Sequence, residues 1–185
     1  MQFSAFTYLA SAIAATIGVS IESILVDITN IRERVTSLIG AINNYPATCG
    51  SRAGAAGIHY RAEDTWTAII KTINDVKTIR EPVSVADGVR ILNSINALKP
   101  LVLEALRVVV DKKPAFQSLN MKSVLNFVAD DLVELNQTTT ALENVFISRT
   151  PPELLEEANA IRAEIDSAFI VAIAVYSPAH LNRGI

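Results

Sequence analysis

Apolar residues recur every three or four positions along most of this chain, a spacing typical of helices that bury one face. The pattern is clearest in the first predicted helix, which begins near Glu22 and ends at Tyr45 and Pro46, with Asp27 expected on its polar side. No convincing strand is present, so the pattern predicts an all-α protein. The apolar residues of the first helix are Ile24, Ile28, Ile31, Val35, Leu38 and Ile42.

Four further amphipathic helices are predicted, which gives a single-domain antiparallel bundle of about five helices. The second helix is expected from about Tyr60 to Arg80, after a glycine-rich stretch at 49–57 that is expected to be a loop or a frayed link. The third begins at the capping residue Ser84 and is expected to be kinked or split near Pro100, which cannot donate a helical hydrogen bond. The fourth follows at once, and the fifth begins where the hydroxyl of Thr150 is expected to cap it. Short connections favour antiparallel neighbours.

The apolar residues are mostly aliphatic, because hydrophobic residues make up 50% of the 185 residues and aromatic residues only 6%. This composition suits packed helices better than a β-sandwich, and the length suits one domain. The net charge is −3, and the longest run of basic residues is the pair Lys112 and Lys113. We therefore expect no nucleic acid partner.

The first 20 residues carry no charge, and the stretch 3–19 is apolar except for Ser, Thr and Gly. It is barely long enough to span a bilayer and ends in small residues, which favours a cleaved signal peptide over a membrane anchor or a buried first helix. We expect a signal peptide at 1–20, a helical bundle domain at 21–185, secretion, and no transmembrane insertion after signal removal. In a secreted chain Asn136 begins a glycosylation sequon, although a helical conformation there would disfavour its modification.

Residues suited to catalysis or metal binding are scattered. Cys49 is the only cysteine, which excludes an internal disulfide and leaves an inert thiol or intermolecular pairing as alternatives. His59 and His180 fall in predicted loops far apart in sequence, so no metal site is expected. The acidic pairs 130–131 and 156–157 are interpreted as solvated helix faces. With no catalytic motif in the sequence, we expect neither an enzyme nor a cofactor.

The broad aliphatic faces raise the question of how the centre of the bundle is filled. With few aromatic side chains, the centre is expected to leave a ligand cavity, while an ordinary packed core is the alternative. Thr65, Thr72 and Thr139 interrupt the inner faces and would either fix the polar head of a ligand or bond back to the helix backbone. The candidate lining residues are Thr65, Trp66, Ile69, Thr72, Ile73, Leu132, Leu135, Thr139, Ile165, Phe169 and Ala172.

Several short patterns occur in a fixed order along the chain. They are Asp27 within the first helix, Asp87, Gly88, Leu98 and Pro100 around the third, Lys112, Lys113 and Phe116 before the fourth, then 131–142 and 168–176. In this order the chain resembles the fungal hydrophobic surface-binding protein A family, to which cell wall galactomannoproteins with lipid-binding domains also belong. The resemblance covers nearly all of the chain after the signal peptide.

The resemblance implies a non-enzymatic helical bundle, secreted or held in the cell wall. Its expected partners are a fatty acid or other lipid enclosed by the bundle, or a hydrophobic surface, with the cell wall as a further candidate. The chain lacks the Ser/Thr-rich stalk of wall-anchored relatives, which argues against covalent attachment. The alternative function is a secreted helical protein-interaction module, an inhibitor or host-directed effector, with an ordinary packed core.

Overall fold

The computed structural model describes residues 19–48, 50–79, 82–119 and 121–177. This part of the chain forms six α-helices and one 3₁₀ turn, with no strand, which confirms the all-α class. The predicted signal peptide lies almost wholly outside the described residues, as do Cys49 and His180. The helices are α1 at Ile21–Asn44, α2 at Arg52–Thr78, α3 at Val85–Asp111, α4 at Lys113–Gln117, α5 at Lys122–Ile147 and α6 at Leu155–Tyr176.

The five long helices form a closed ring. Helix α1 packs against α2 and α3, α2 packs against α5, α5 against α6, and α6 against α3. Successive long helices alternate in direction, as predicted, but the ring also brings parallel helices side by side. For example, Arg90 near the start of α3 reaches Glu22 near the start of α1, with 2.6 Å between Nη2 and Oε1. A ring of this kind has a centre that every long helix faces.

Helix α2 begins at Arg52, so the prediction of a loop across residues 52–57 was wrong. The Ser51 hydroxyl accepts a hydrogen bond from the Gly54 amide at 3.0 Å and caps the helix. The glycines here allow close packing, because a Cβ on Gly54 would lie 3.2 Å from the ring of Tyr45. They therefore mark a contact between α1 and α2. His59, which was also predicted in a loop, lies within α2.

Of the two alternatives predicted for α3, a kink or a split near Pro100, the structure excludes the split, because the helix is continuous through Pro100. One prediction about a helix boundary needs correction. The Thr150 hydroxyl does not cap α6, because it donates to the carbonyl of Phe146 at 2.9 Å, one turn back in α5. A 3₁₀ turn at Pro152–Leu154 leads into α6 without a side-chain cap.

The predicted apolar stripe of α1 is buried throughout, which is the clearest agreement between spacing and structure. Asp27, expected on the polar side, is also buried, and its Oδ1 lies 2.6 Å from the Lys71 ammonium on α2. Val85 and Val89 of the predicted α3 stripe are exposed, because Gly88 is the residue that packs closely against the turn before α6. Among the described residues, no helix is long and apolar enough to cross a membrane.

One end of the ring is filled by aromatic rings, and we call it the aromatic end. It consists of Tyr45 after α1, Phe116 in α4 and Tyr176 at the end of α6, all buried. The ring centroids of Tyr45 and Phe116 are 4.9 Å apart. The Tyr176 hydroxyl donates to the carbonyl of Val109 in α3 at 2.7 Å, so the core there is both packed and hydrogen-bonded.

Candidate functional site

A central cavity with a volume of about 130 Å³ lies within the ring, away from the aromatic end. All five long helices contribute to its wall, and the α3 residues extend from Gly88 to Leu106. At a rise of 1.5 Å per residue this is about 27 Å of helix axis. The described residues of the wall include Ile28, Ile31, Val35, Leu38, Thr65, Ile69, Val76, Ile91, Leu92, Ile95, Leu98, Val102, Ala105, Leu135, Thr139, Leu142, Phe146, Ala158, Ile161, Ile165 and Phe169.

The wall is overwhelmingly aliphatic, and Phe146 and Phe169 are the aromatic residues among its described members. Side chains of this kind pack without directional bonds and can rotate to admit a flexible ligand. Because there is little in such a wall for water to bond, a cavity like this tends to stay dry. Its chemistry suits a long apolar group.

The structure places six of the eleven predicted lining residues in this wall: Thr65, Ile69, Leu135, Thr139, Ile165 and Phe169. The other five lie outside it. Thr72, Ile73, Leu132 and Ala172 are buried in the packed core, and Trp66 is half-buried with its ring 6.3 Å from that of His59. Helical spacing had placed these residues on inward faces, but inward faces also pack against neighbouring helices.

Two of the three predicted threonine hydroxyls donate hydrogen bonds to backbone carbonyl groups. Thr65 donates to the carbonyl of Arg61 at 2.7 Å, and Thr72 donates to that of Ala68 at 3.0 Å. Both therefore follow the structural alternative, in which a hydroxyl bonds one turn back in its own helix. Thr139 is half-buried in the cavity wall.

Four charged residues reach the cavity wall among those described: Lys99, Glu143, Arg149 and Arg162. Lys99 pairs with Glu164, and Arg149 donates to the carbonyl of Ile79 at the end of α2 at 2.7 Å. These two side chains are engaged at the rim. Glu143 and Arg162 differ, because they face each other across α5 and α6.

Neither carboxyl oxygen of Glu143 has a hydrogen-bond partner among the described residues, although its side chain is only 13% exposed. The nearest cation is Arg162, whose Nε lies 3.8 Å from Glu143 Oε2. Burial raises the pKa of Glu143 to about 8; Asp166 raises it further, and Arg162 opposes the rise. At neutral pH this carboxyl is therefore mostly protonated.

Sequence reasoning missed Glu143 and the walls supplied by α1 and α3. A signal for Glu143 was present, because it follows Thr139 by four residues and so shares its helix face. The α1 and α3 stripes were identified as core, but their part in the cavity depends on the closed ring. The spacing of apolar residues within one helix does not show which helices are neighbours in the ring.

The predicted glycosylation site lies in the middle of α5. Asn136 is half-buried, and the hydroxyl of Thr138 in the same sequon is buried and donates to the carbonyl of Glu134 at 2.9 Å. The segment is therefore helical, the condition under which modification was expected to be disfavoured. Glycosylation of Asn136 stays a prediction.

One of the acidic pairs is not the solvated face that was predicted. Asp131 is buried, and its Oδ1 lies 2.7 Å from Nδ1 of His59, while Asp130 is exposed. Burial raises the pKa of Asp131 to about 6, and the hydrogen bond to His59 opposes the rise. Among the described residues, no cluster of three potential metal ligands occurs. The His59–Asp131 pair joins α2 to α5, and neither residue lines the cavity.

The fold and the cavity together define a class, the all-helical bundles that close around an apolar centre. Within that class, residues 21–148 match the sequence model of the hydrophobic surface binding protein A family, and the chain belongs to that family. Comparison with curated proteins gave no significant match.

Solved structures share the fold over most of their length. A structure described as AFMP4P in complex with palmitic acid is 25% identical, with a TM-score of 0.79 over 85% of this chain and 100% of that chain. Ligand binding domain 2 of the Penicillium marneffei MP1 protein, complexed with multiple arachidonic acids, is 16% identical, with a TM-score of 0.76 over 86% and 97%. Domain 1 of the same protein is also 16% identical, with a TM-score of 0.75 over 85% and 99%.

Proposed function

We propose that this chain is a secreted, non-enzymatic protein that encloses the acyl chain of a fatty acid in its central cavity. The observation that carries the proposal is the cavity itself, which five helices surround with an almost entirely aliphatic wall. The family and the palmitic acid complex of a similar structure support it. The uncharged, apolar first 20 residues support secretion.

The dimensions fit a flexible chain better than a rigid ligand. The volume of about 130 Å³ is close to that of an engineered apolar cavity of about 150 Å³ that binds benzene. A long acyl chain is larger than benzene, so its entry requires aliphatic side chains of the wall to rotate. The α3 part of the wall is about 27 Å long, whereas one leaflet of a bilayer's hydrocarbon core is roughly 15 Å thick. The length therefore suffices for one extended chain.

Burial of methylene groups provides the affinity. Each methylene removed from water contributes about 0.8 kcal/mol, so a long chain binds without many polar contacts. Selectivity for chain length is then loose. The alternative function, a protein-interaction module with an ordinary packed core, would not have such a cavity. Association with a cell wall stays a prediction from the family resemblance.

Filling the cavity should abolish binding without unfolding the protein. Ala105 lies in the wall, whereas Ala172 is buried in the packed core outside it. Ala105→Phe should weaken palmitic acid binding by about tenfold or more, equivalent to about 1.4 kcal/mol, while the melting temperature of ligand-free protein stays the same or rises. Displacement of the neutral dye Nile red by palmitic acid measures binding.

The matched control is Ala172→Phe. It overpacks a closed core, which should lower the free energy of unfolding by about 1–3 kcal/mol and leave dye displacement unchanged. If both variants lost palmitic acid binding equally, the loss in Ala105→Phe could not be assigned to filling of the cavity. Failure of palmitic acid to displace the dye from the wild-type protein would remove the fatty acid proposal.

A second candidate function, adsorption to a hydrophobic surface, is favoured by the outer face of α6. Ile170 and Val171 are 68% and 60% exposed, which is unusual for two adjacent large aliphatic residues. Retention on polystyrene beads should fall in Ile170→Asn and stay unchanged in Ala105→Phe. Surface adsorption and fatty acid binding can therefore be distinguished, because each is expected to be lost in a different variant.

A further inference from the structure

The described part of the cavity wall contains a buried carboxyl group that the protein itself does not satisfy. Both carboxyl oxygens of Glu143 are buried and have no hydrogen-bond partner among the described residues. Leaving a buried polar group unpaired destabilises the folded state, so native proteins rarely do so without a functional reason. Glu143 lies where a bound ligand would touch it.

A further unpaired buried oxygen, Oδ2 of Asp27, provides a comparison. It also lacks a partner among the described residues, but Oδ1 of the same carboxylate accepts a hydrogen bond from Lys71 at 2.6 Å, and Asp27 is not among the residues that line the cavity. The burial of the Asp27 carboxylate is thus explained by its pairing with Lys71. Among the described residues Glu143 has no such bond, and it lines the cavity.

Arg162 lies beside Glu143 and provides a positive charge. Its Nη1 donates to Asn144 at 2.9 Å and its Nε to Asp166 at 3.3 Å, which hold the guanidinium in place. A guanidinium carries five N–H donors, so these two bonds leave further donors for a ligand oxygen. Arg162 also lines the cavity.

We propose that Glu143 and Arg162 bind the carboxyl group of a fatty acid whose chain extends along the aliphatic wall, an inference that rests on the proposed function. The protonated carboxyl of Glu143 donates its proton to one oxygen of the ligand carboxylate in a hydrogen bond. The guanidinium of Arg162 donates to the other oxygen. Charge-assisted bonds of this kind are the strong ones, and they orient the ligand.

Protonation of Glu143 makes this site sensitive to pH. Because the pKa of Glu143 is raised to about 8, the donor is present at neutral pH and lost as the pH rises through that value. The ionised form would also repel the ligand carboxylate. The charged groups that act on Glu143 are Asp166 and Arg162, both on α6. The other charged residues of the described wall are Lys99 on α3 and Arg149 after α5, while the described walls of α1 and α2 contribute no charge.

The experiment compares palmitic acid with 1-hexadecanol, both as competitors of Nile red, at pH 6.5 and pH 9.5. In the wild-type protein palmitic acid should bind about tenfold or more weakly at the higher pH, since a charge-assisted hydrogen bond is lost. Hexadecanol should bind equally at both, because its hydroxyl can donate to the ionised carboxylate. The alcohol reports enclosure of the chain independently of the carboxyl group.

Glu143→Gln is the matched variant, because its amide donates a hydrogen bond at every pH. Its affinity for palmitic acid should change much less than that of the wild-type protein between the two pH values. The ratio of the palmitic acid affinities of the two proteins at each pH removes the effects of the ionisation and solubility of the ligand itself. Arg162→Gln should weaken palmitic acid binding more than hexadecanol binding.

Two results would overturn the assignment while leaving chain enclosure intact. One is the same pH dependence of palmitic acid binding in the wild-type protein and Glu143→Gln. The other is tighter binding of hexadecanol than of palmitic acid at pH 6.5, which would indicate a neutral head group. If neither ligand displaced the dye, the proposed function itself would fail, and this inference with it.

Discussion

The aromatic end and the cavity lie within the same ring of helices, yet one is filled by side chains and the other is not. At the aromatic end Tyr45, Phe116 and Tyr176 fill the space between the helices, and all three are buried. Along the cavity the five long helices present Ile, Leu and Val, with Phe146 and Phe169 as the aromatic residues of the described wall. The position of large rings therefore decides where the ring of helices is filled.

Polar groups follow the same division. At the aromatic end Lys112 donates to the carbonyl of Asn43 at 3.0 Å, and Lys113 donates to that of Val175 at 2.7 Å, so both satisfy the ends of helices. In the cavity the carboxyl oxygens of Glu143 have no hydrogen-bond partner among the described residues. Polar groups are therefore satisfied at the aromatic end, whereas this carboxyl group in the cavity wall is not. This contrast can be broken by mutation.

The largest effect is expected at Tyr176. Tyr176→Ala removes a fully buried ring and should lower the free energy of unfolding by about 3–5 kcal/mol, since the closed end cannot easily collapse. Tyr176→Phe removes only the hydrogen bond to Val109 and should lower it by about 1 kcal/mol. Urea denaturation measures both.

The Phe variant also tests whether the two regions are separate. Its displacement of Nile red by palmitic acid should match the wild-type protein, because Tyr176 is not among the residues of the cavity wall. A loss of binding in a folded Tyr176→Phe protein would show that the aromatic end and the cavity are coupled.

A pH-dependent effect is expected from the ionisation of Glu143 in ligand-free protein. Its pKa is raised from the ordinary 4.5 to about 8, so the folded state binds this proton more tightly than the unfolded state. The resulting stabilisation is complete below pH 4.5 and is lost as the pH rises to about 8. Relative to Glu143→Gln, the wild-type protein should therefore lose stability across this range.

Melting temperatures at intervals from pH 4 to 9 measure the difference between the two proteins. Asp131, whose pKa is raised to about 6, also titrates there, but it is present in both proteins and cancels. A constant difference would mean that Glu143 titrates normally and has water for a partner.

Much of the fold was predictable from the sequence, because helical spacing reports which side of a helix is buried. The stripe of α1 from Ile24 to Ile42 is buried as predicted. The resemblance to the family also pointed to Lys112, Lys113 and Phe116, and the structure explains these residues by their place at the aromatic end. They stabilise the fold and do not line the cavity.

The site was harder to predict, because it depends on how five helices are ordered around a centre. Ala172 and Leu132 lie on inward faces like Ile165 and Leu135, but only the latter two reach the cavity. Asp27 and Asp131 are buried, and so are the carboxyl oxygens of Glu143, although acidic residues are expected on the surface. Each is buried through a partner or cavity supplied by a helix distant in sequence.

The smallest effect is expected from removing one of two hydroxyl groups near helix ends. The hydroxyl of Ser51 caps a helix, whereas that of Thr150 does not, and the two lie at opposite ends of the ring. At the aromatic end Ser51 accepts the Gly54 amide at 3.0 Å, so Ser51→Ala should lower the free energy of unfolding by about 1 kcal/mol. At the far end of the cavity Thr150 donates to the carbonyl of Phe146, which α5 can release to water, so Thr150→Ala should cost less than about 0.5 kcal/mol. Urea denaturation of both variants decides the order. A larger loss at Thr150 would restore it as the cap of α6, contrary to the hydrogen bond seen here.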